Sequence, residues 1–316
     1  MDGTRSQTLQ NSQTPWARGG RWWLALVLAT AVVLGLGQTA IAAPPSPSLP
    51  TTAFDQGRIA LERGDYGTAA AYLDQALDQG DHRATVYRYR CAVAVQLGDA
   101  AGAIAPCSAA IQADPQVPQP YLYRGLAHYR LGHQGAAHGD LTAYLKARPG
   151  DSIARYNRGL VAFAQGDYGA AIADYHTALA QPDQLDPTAL AQVFNDLGLA
   201  HLAQAQPAVA RAYLDQAIAL DGDNLRAYFN RGCVCHHQRQ YAAALADFEQ
   251  VLALDPTHAE TYLNRGKVRQ QLGDTAGAIA DWHQAADYFA AQGQTAGYHQ
   301  AQQLLRQRST PAMALG

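Results

Sequence analysis

A small residue returns every 34 positions along this chain. It is Gly57, Cys91, Gly125, Gly159, Gly198, Gly232 and Gly266, with a single longer interval of 39 residues between Gly159 and Gly198. A fixed period of this size means that one structural unit is built repeatedly, each copy burying its apolar face only against its neighbours. The period therefore constrains function together with fold. Stacked units present a long surface suited to holding another molecule, not an enclosed pocket suited to chemistry.

The grammar inside each unit is also regular. Twelve residues after the small residue comes alanine in every unit: Ala69, Ala103, Ala137, Ala171, Ala210, Ala244 and Ala278. An aromatic precedes the small residue by four positions as Tyr87, Tyr121, Phe194, Tyr228 and Tyr262. Small residues at two fixed points let paired helices approach closely, while Leu73, Leu141, Tyr175, Leu214, Phe248 and Trp282 fill the layer beside them. Gly64-Asp65, Gly98-Asp99, Gly166-Asp167 and Gly273-Asp274 mark the turns between helices, and Asp114-Pro115, Pro149 and Asp255-Pro256 close units.

This pattern resembles the tetratricopeptide repeat, most closely in Ala227-Tyr228-Phe229-Asn230-Arg231-Gly232 and Asp255-Pro256. The resemblance implies an all-α chain, a right-handed superhelical solenoid of antiparallel helix hairpins. Its seven units begin near Pro50, Ala84, Pro118, Ser152, Ala191, Leu225 and Ala259, giving a repeat domain over 53–292. Residues 293–308 read as a C-terminal capping helix, with Tyr298, Ala301, Leu304 and Leu305 on one face, followed by a tail, 309–316. Departures from the pattern are local: Cys91 in place of glycine, Tyr144 and Val251 in place of a second-helix alanine, and a five-residue insertion marked by Asp186-Pro187.

Four units carry arginine before the glycine and aspartate sixteen residues later: Arg124 with Asp140, Arg158 with Asp174, Arg231 with Asp247, and Arg265 with Asp281. These positions face each other in an antiparallel hairpin. Two units lack both members at once, having Gln56 with Tyr72 and Leu197 with Tyr213, as a paired contact inside the fold requires. The pairs are therefore read as salt bridges across hairpins, in preference to a ligand-binding arginine ladder. In the second unit Arg90 faces Pro106, and a proline inside a helix removes a hydrogen bond and kinks it, so an irregular hairpin is expected. Cys91 and Cys107 also face each other there, either as a disulfide or as two buried thiols.

In tetratricopeptide proteins the first helices line the inner surface, and the resemblance places Leu122, Leu126, Tyr129, Tyr156, Leu160, Phe163, Asn195, Leu199, Leu202 and Phe229 there. Two readings stand for this apolar lining: a groove for a peptide or amphipathic helix, or packing between neighbouring first helices. Arg58, Arg88, Arg130, Arg226 and Lys267 make the flanks more basic, and Asn157, Asn195, Asn230 and Asn264 can hold an extended ligand's backbone. The Lys and Asn positions by which some members of the family clamp a C-terminal carboxylate are not occupied together. Cys233, His236 and His237 share one helix face at a spacing that three metal ligands could use, with Cys235 directed away. They are weak candidates, because one helix without a second element rarely closes a site. No cofactor is expected.

At the N-terminus Arg18 and Arg21 precede an uncharged apolar run, Trp22 to Gly37, and Ala40-Ile41-Ala42 has the small-residue form of a signal-peptidase site. Residues 1–42 read as a signal peptide or an N-terminal membrane anchor, and 43–52 as a proline-rich linker. Either reading puts the body outside the cytoplasm, in a periplasm or equivalent lumen. The formal net charge of -3 gives no pull toward nucleic acid. There is no phosphate loop, nucleophile elbow or paired-carboxylate signature. The expectation is a non-enzymatic scaffold in the cell envelope that binds a protein or peptide, with no nucleic acid and no membrane contact beyond the anchor. A metal-binding or redox-sensing protein built on Cys233, His236 and His237 is the alternative.

Overall fold

The computed structural model describes residues 52–309. The expected signal or anchor, nearly all of the proline-rich linker and the tail beyond 309 lie outside the described residues. Among those described, the regular elements are α-helices: α1 (Ala53–Glu62), α2 (Tyr66–Asp78), α3 (Ala84–Gln96), α4 (Ala100–Ala113), α5 (Gln119–Arg130), α6 (Gln134–Ala147), α7 (Ser152–Ala164), α8 (Tyr168–Leu179), α9 (Pro187–Ala203), α10 (Pro207–Leu220), α11 (Leu225–His237), α12 (Tyr241–Leu254), α13 (Ala259–Gln271), α14 (Thr275–Ala291) and α15 (Thr295–Ser309). One 3-10 turn, Pro182–Gln184, falls in the inserted segment. The described residues fall into two compact units that divide after Ala178.

In the first unit the hairpins are α1/α2, α3/α4, α5/α6 and α7/α8, and the first helices α1, α3, α5 and α7 also touch one another in sequence. The second unit stacks α9/α10, α11/α12 and α13/α14 in the same way. There α15 packs on α14, burying Ala301 and Leu305 against Ala285, Ala286 and Phe289. Local chemistry starts and stops each helix. Gly98, at φ 72°, lets α3 close with Asp99 N–H on the Ala94 carbonyl, and the Asp99 carboxylate then accepts the Gly102 N–H at 2.8 Å to begin α4. In two turns of the second unit Ala205 and Arg239 adopt the same left-handed backbone, at about 1 kcal/mol each. The insertion ends at Asp186, whose side chain caps α9 through Ala189 N–H at 2.7 Å.

Hairpins are held by close approach at the recurrent glycine. A β-carbon at Gly159 would lie 2.5 Å from Tyr175 Cε1, at Gly232 2.8 Å from Phe248 Cε1, and at Gly266 2.5 Å from Trp282 Nε1. The rings of Tyr175, Phe248 and Trp282 are almost completely buried in the space those glycines leave. The indole N–H of Trp282 donates to the Leu263 carbonyl at 3.3 Å, so this large residue is also satisfied as a donor.

The four arginine–aspartate pairs form, three of them through two hydrogen bonds: 2.8 and 2.8 Å for Arg124–Asp140, 2.7 and 2.7 Å for Arg158–Asp174, and 3.0 and 2.7 Å for Arg265–Asp281. Arg231 holds Asp247 at 2.6 Å and, with its other terminal nitrogen, Asp215 at 2.7 Å. Asp215 lies sixteen residues back, on the preceding hairpin, and Arg124 reaches back in the same way to Ser108 at 2.9 Å and Arg158 to Thr142 at 3.4 Å. Each of these arginines thus joins three helices, two of its own hairpin and one of the hairpin before it.

The second hairpin corrects one expectation. Arg90 does not simply face Pro106; it turns back to Asp74 on α2, with hydrogen bonds of 2.6 and 3.2 Å, keeping the backward half of the ladder when the forward half is missing. α4 runs as one helix from Ala100 through Pro106 to Ala113. One missing N–H costs a single helical hydrogen bond, and Cys107 beside it is fastened to α3 by a disulfide with Cys91.

Two stability outcomes follow from these contacts. Gly266→Ala should lower stability by about 1–3 kcal/mol through overpacking against Trp282, despite alanine's better helix propensity. A lowered urea midpoint read from tryptophan fluorescence is the check, and an unchanged midpoint would contradict the close approach. Arg231→Met strands the buried Asp247 carboxylate and should cost about 3 kcal/mol, whereas Arg90→Met, whose partner Asp74 is half exposed, should cost under about 1 kcal/mol. Paired denaturation curves of the two variants measure the difference.

Candidate functional site

Most of the apolar lining expected from the sequence is used in packing. Of the first-unit candidates, Leu126, Tyr129, Tyr156 and Leu160 are buried, and Leu122 and Phe163 are half-buried. The Tyr156 ring packs on Tyr175 at 5.7 Å between centroids, Phe163 lies against Tyr168 at 5.3 Å, and Leu122 joins a cluster of Tyr144, Leu145 and Ala154. These contacts fall largely on second helices, Tyr175 and Tyr168 of α8 and Tyr144 and Leu145 of α6.

The inner helices of the second unit, α9, α11 and α13, carry a different surface. Leu199, Leu202 and Phe229 are half-buried, with Phe229 wedged between Phe248 at 6.0 Å and His258 at 5.3 Å. Asn195 is 1% exposed, but it is not idle: its Nδ2 donates to Asp196 at 3.0 Å and its carbonyl accepts Asn230 Nδ2 at 2.8 Å across α9 and α11. Arg226 stands 3.5 Å from Asp196. On α13, Asn264 directs its Nδ2 toward Cys233 Sγ at 3.9 Å and accepts a hydrogen bond from Lys267 Nζ at 3.2 Å. Polar groups from three consecutive inner helices therefore form two short bonded strings, Arg226–Asp196–Asn195–Asn230 and Cys233–Asn264–Lys267. The 34-residue interval between Asn230 and Asn264 was the available sequence signal for part of this arrangement. Nothing in the sequence marked Asp196 as its anchor.

Electrostatics on this face follow burial. Burial pushes the Cys233 thiol up to about 12 and also raises that of Cys235. Burial lowers the basicity of His236 and His258, and it lowers that of Lys267, against which the neighbouring Cys233 acts weakly. The metal candidates Cys233, His236 and His237 do not come together as a site: among the described residues no group of three or more His, Cys, Asp or Glu side chains is placed to hold a metal ion. The reason is local, since Cys233 packs with Cys235, Ala244, Phe248 and Val268 in the core, and so does Cys235, which the sequence placed on the opposite side. A shallow cleft of about 190 Å³ beside Arg211, Asp215, Arg231, Cys235 and Asp247 is smaller than ordinary ligand pockets.

Sequence profiles of the tetratricopeptide repeat match residues 54–118 and 195–259, and a second such profile matches 151–223. The chain belongs to the tetratricopeptide repeat family. No curated protein sequence matches it. Among solved structures it is similar to a tetratricopeptide repeat protein from Parabacteroides merdae, with 16% identity, TM-score 0.61, and coverage of 79% of this chain and 97% of that one. It is also similar to PilF of Pseudomonas aeruginosa, with 18% identity, TM-score 0.57, and coverage of 70% and 97%. PilW, a type IV pilus biogenesis factor, gives 19% identity, TM-score 0.58, and coverage of 66% and 94%. At these identities the likeness is one of fold. No helix among the described residues is long and apolar enough to cross a membrane.

The disulfide generates its own test. Cys91 and Cys107 occupy the positions that hold glycine and a large side chain in the other hairpins, and both are fully buried. Their hairpin also lacks the forward arginine–aspartate pair. Cys91→Ala with Cys107→Ala should therefore lower stability by about 3 kcal/mol for a cross-link of this span. Urea denaturation of the variant beside the oxidised wild type checks it.

Proposed function

We propose that this protein is a non-catalytic scaffold that holds a segment of a partner protein along the inner face of its stacked first helices, and that it works in the cell envelope. The observation that carries the first part is the row of bonded amides and flanking charges on α9, α11 and α13. Asn230, Asn264 and Lys267 are half-buried on neighbouring helices, with Asn230 held by the buried Asn195, and the hydrogen-bonding groups they present suit an extended backbone better than an apolar helix. The family assignment supports an interaction role of this kind, and no catalytic constellation is needed to explain any charged pair in the hairpins.

Export is supported by two independent features. The Arg18 and Arg21 flank before Trp22 to Gly37 has the charge asymmetry of a translocated chain. The Cys91–Cys107 bridge belongs to an oxidising compartment. Placement of the body outside the cytoplasm makes both features serve one purpose.

Affinity capture from an envelope fraction tests the reading, with the full chain as bait. Leu199→Ala combined with Asn230→Ala should remove the captured partner while leaving the melting temperature within a few degrees of wild type. Ala212→Arg, on the exposed side of α10, is the control and should retain it. Equal capture by all three chains would sink the inner-face assignment.

A further inference from the structure

Two imidazoles meet at the turn of the third hairpin. His128 lies in the last turn of α5, His133 is the residue before α6, and the His133 N–H donates to the His128 carbonyl at 2.8 Å. The same backbone bond joins Asp99 to Ala94, Gln206 to His201 and Asp274 to Arg269, so the two positions are held side by side in each of these turns. There the side chains are complementary or separately employed. His201 Nδ1 pairs with Gln206 Oε1 at 2.7 Å, Arg269 stands 3.8 Å from Asp274, and Asp99 and Asp274 cap the helices that follow them. His133 makes no capping bond. Its Nδ1 is turned instead to Nδ1 of His128, 3.3 Å away, so two groups of the same kind face each other.

A metal ion supplies the complement that this pair lacks. Two imidazole nitrogens on one tetrahedral zinc, with Zn–N bonds of about 2.0–2.1 Å, stand about 3.3 Å apart. The observed separation is thus the bite of a chelate, and it is long for a hydrogen bond. Ligating nitrogens must be neutral, and burial lowers the basicity of His128, with Arg124 and His133 adding to that against Asp140. Asp140 is no ligand, because both its carboxylate oxygens are engaged by Arg124. His133 is exposed, which gives an ion a path from solvent. We propose that His128 and His133 form an open chelate, through their two Nδ1 atoms, for a borderline d-block dication, zinc or copper, with water in the remaining positions. Imidazole selects such ions over magnesium and calcium, which take oxygen ligands. Two protein ligands make the site exchangeable, unlike the four-ligand sites that hold a fold together. The bound ion clasps α5 to α6 as Gln206 and Asp274 clasp their own hairpins.

Zinc chloride titrated into the full chain, free of any affinity tag and stripped with a chelator, provides the test. Calorimetry gives the affinity, and the imidazole nitrogen spectrum of the chain carrying isotope-labelled histidine identifies the atoms. Zinc is expected to bind, to shift Nδ1 of His128 and His133 together, and to raise the melting temperature. His133→Asn, which brings a good N-cap and a poor metal ligand, should keep the fold and weaken zinc binding at least about tenfold, the least that even an outer-shell partner contributes. His128→Gln should weaken it as much, and His236→Gln with His237→Gln should leave it unchanged. Zinc binding indifferent to either the His133 or the His128 substitution, or lost with the His236 and His237 changes in their place, overturns the proposal. Shifts confined to other histidines, or no binding at millimolar zinc, overturn it too.

Discussion

Helix pairs in this protein meet where one of the two helices has no side chain. Gly159, Gly232 and Gly266 receive the faces of Tyr175, Phe248 and Trp282 so closely that even a methyl group would collide. Other features of the repeat depend on that contact. A large buried residue must stand opposite, an alanine must stand where the helices next cross, and substitution at either position must be met by the other. The second hairpin shows the rule by its exception, for Cys91 gives up the glycine and Cys107 gives up the large side chain, and a covalent bond replaces the interlock.

The arginine ladder acts one level higher, between hairpins. A half-buried arginine paired with a buried aspartate is not a large net source of stability, since desolvation offsets much of the attraction. What Arg124, Arg158 and Arg231 contribute is register: each can satisfy its partners only if three particular helices are in place. An apolar solution to the same position exists in α9, where Leu197 is fully buried and Tyr213 stacks between Phe194 at 6.3 Å and His201 at 5.3 Å. That hairpin folds without the charges, which shows that the interlock is the more basic requirement and the ladder an addition to it.

Much of this was legible in the sequence because the contacts inside a hairpin join residue types that recur at fixed offsets. Arginine to aspartate at sixteen residues is visible as a pattern; arginine to the preceding hairpin is not, because the acceptors are chemically mixed, Asp74, Ser108, Thr142 and Asp215. The lining stood between two readings for a physical reason. A helical stripe of Leu126, Tyr129, Tyr156 and Leu160 looks the same whether it faces solvent or packs within the fold, and only the burial seen in three dimensions tells the two apart. The Cys233, His236 and His237 cluster failed in a similar way: spacing along one helix placed the three residues on a face, but the core contacts with Phe248 and Val268 took the thiol out of reach.

For the proposed inner-face binding, this redistribution changes what the surface can offer. Once the tyrosines and leucines of α5 and α7 are committed to packing, apolar area on the inner helices can supply only part of an affinity, and the groups left to discriminate among partners are polar. In the second unit they are already ordered: Asn230 is held by the buried Asn195, which Asp196 fixes in turn, and Lys267 is held by Asn264. Pre-ordered donors and acceptors lose little freedom on binding, so hydrogen bonds to an extended segment retain more of their intrinsic strength than they would from mobile side chains. They also reject a mismatched segment sharply, because a buried amide or ammonium left without a partner costs more than a lost apolar contact. In the proposed reading, a repeat architecture whose apolar residues are consumed by stacking is thereby directed toward recognition by polar groups.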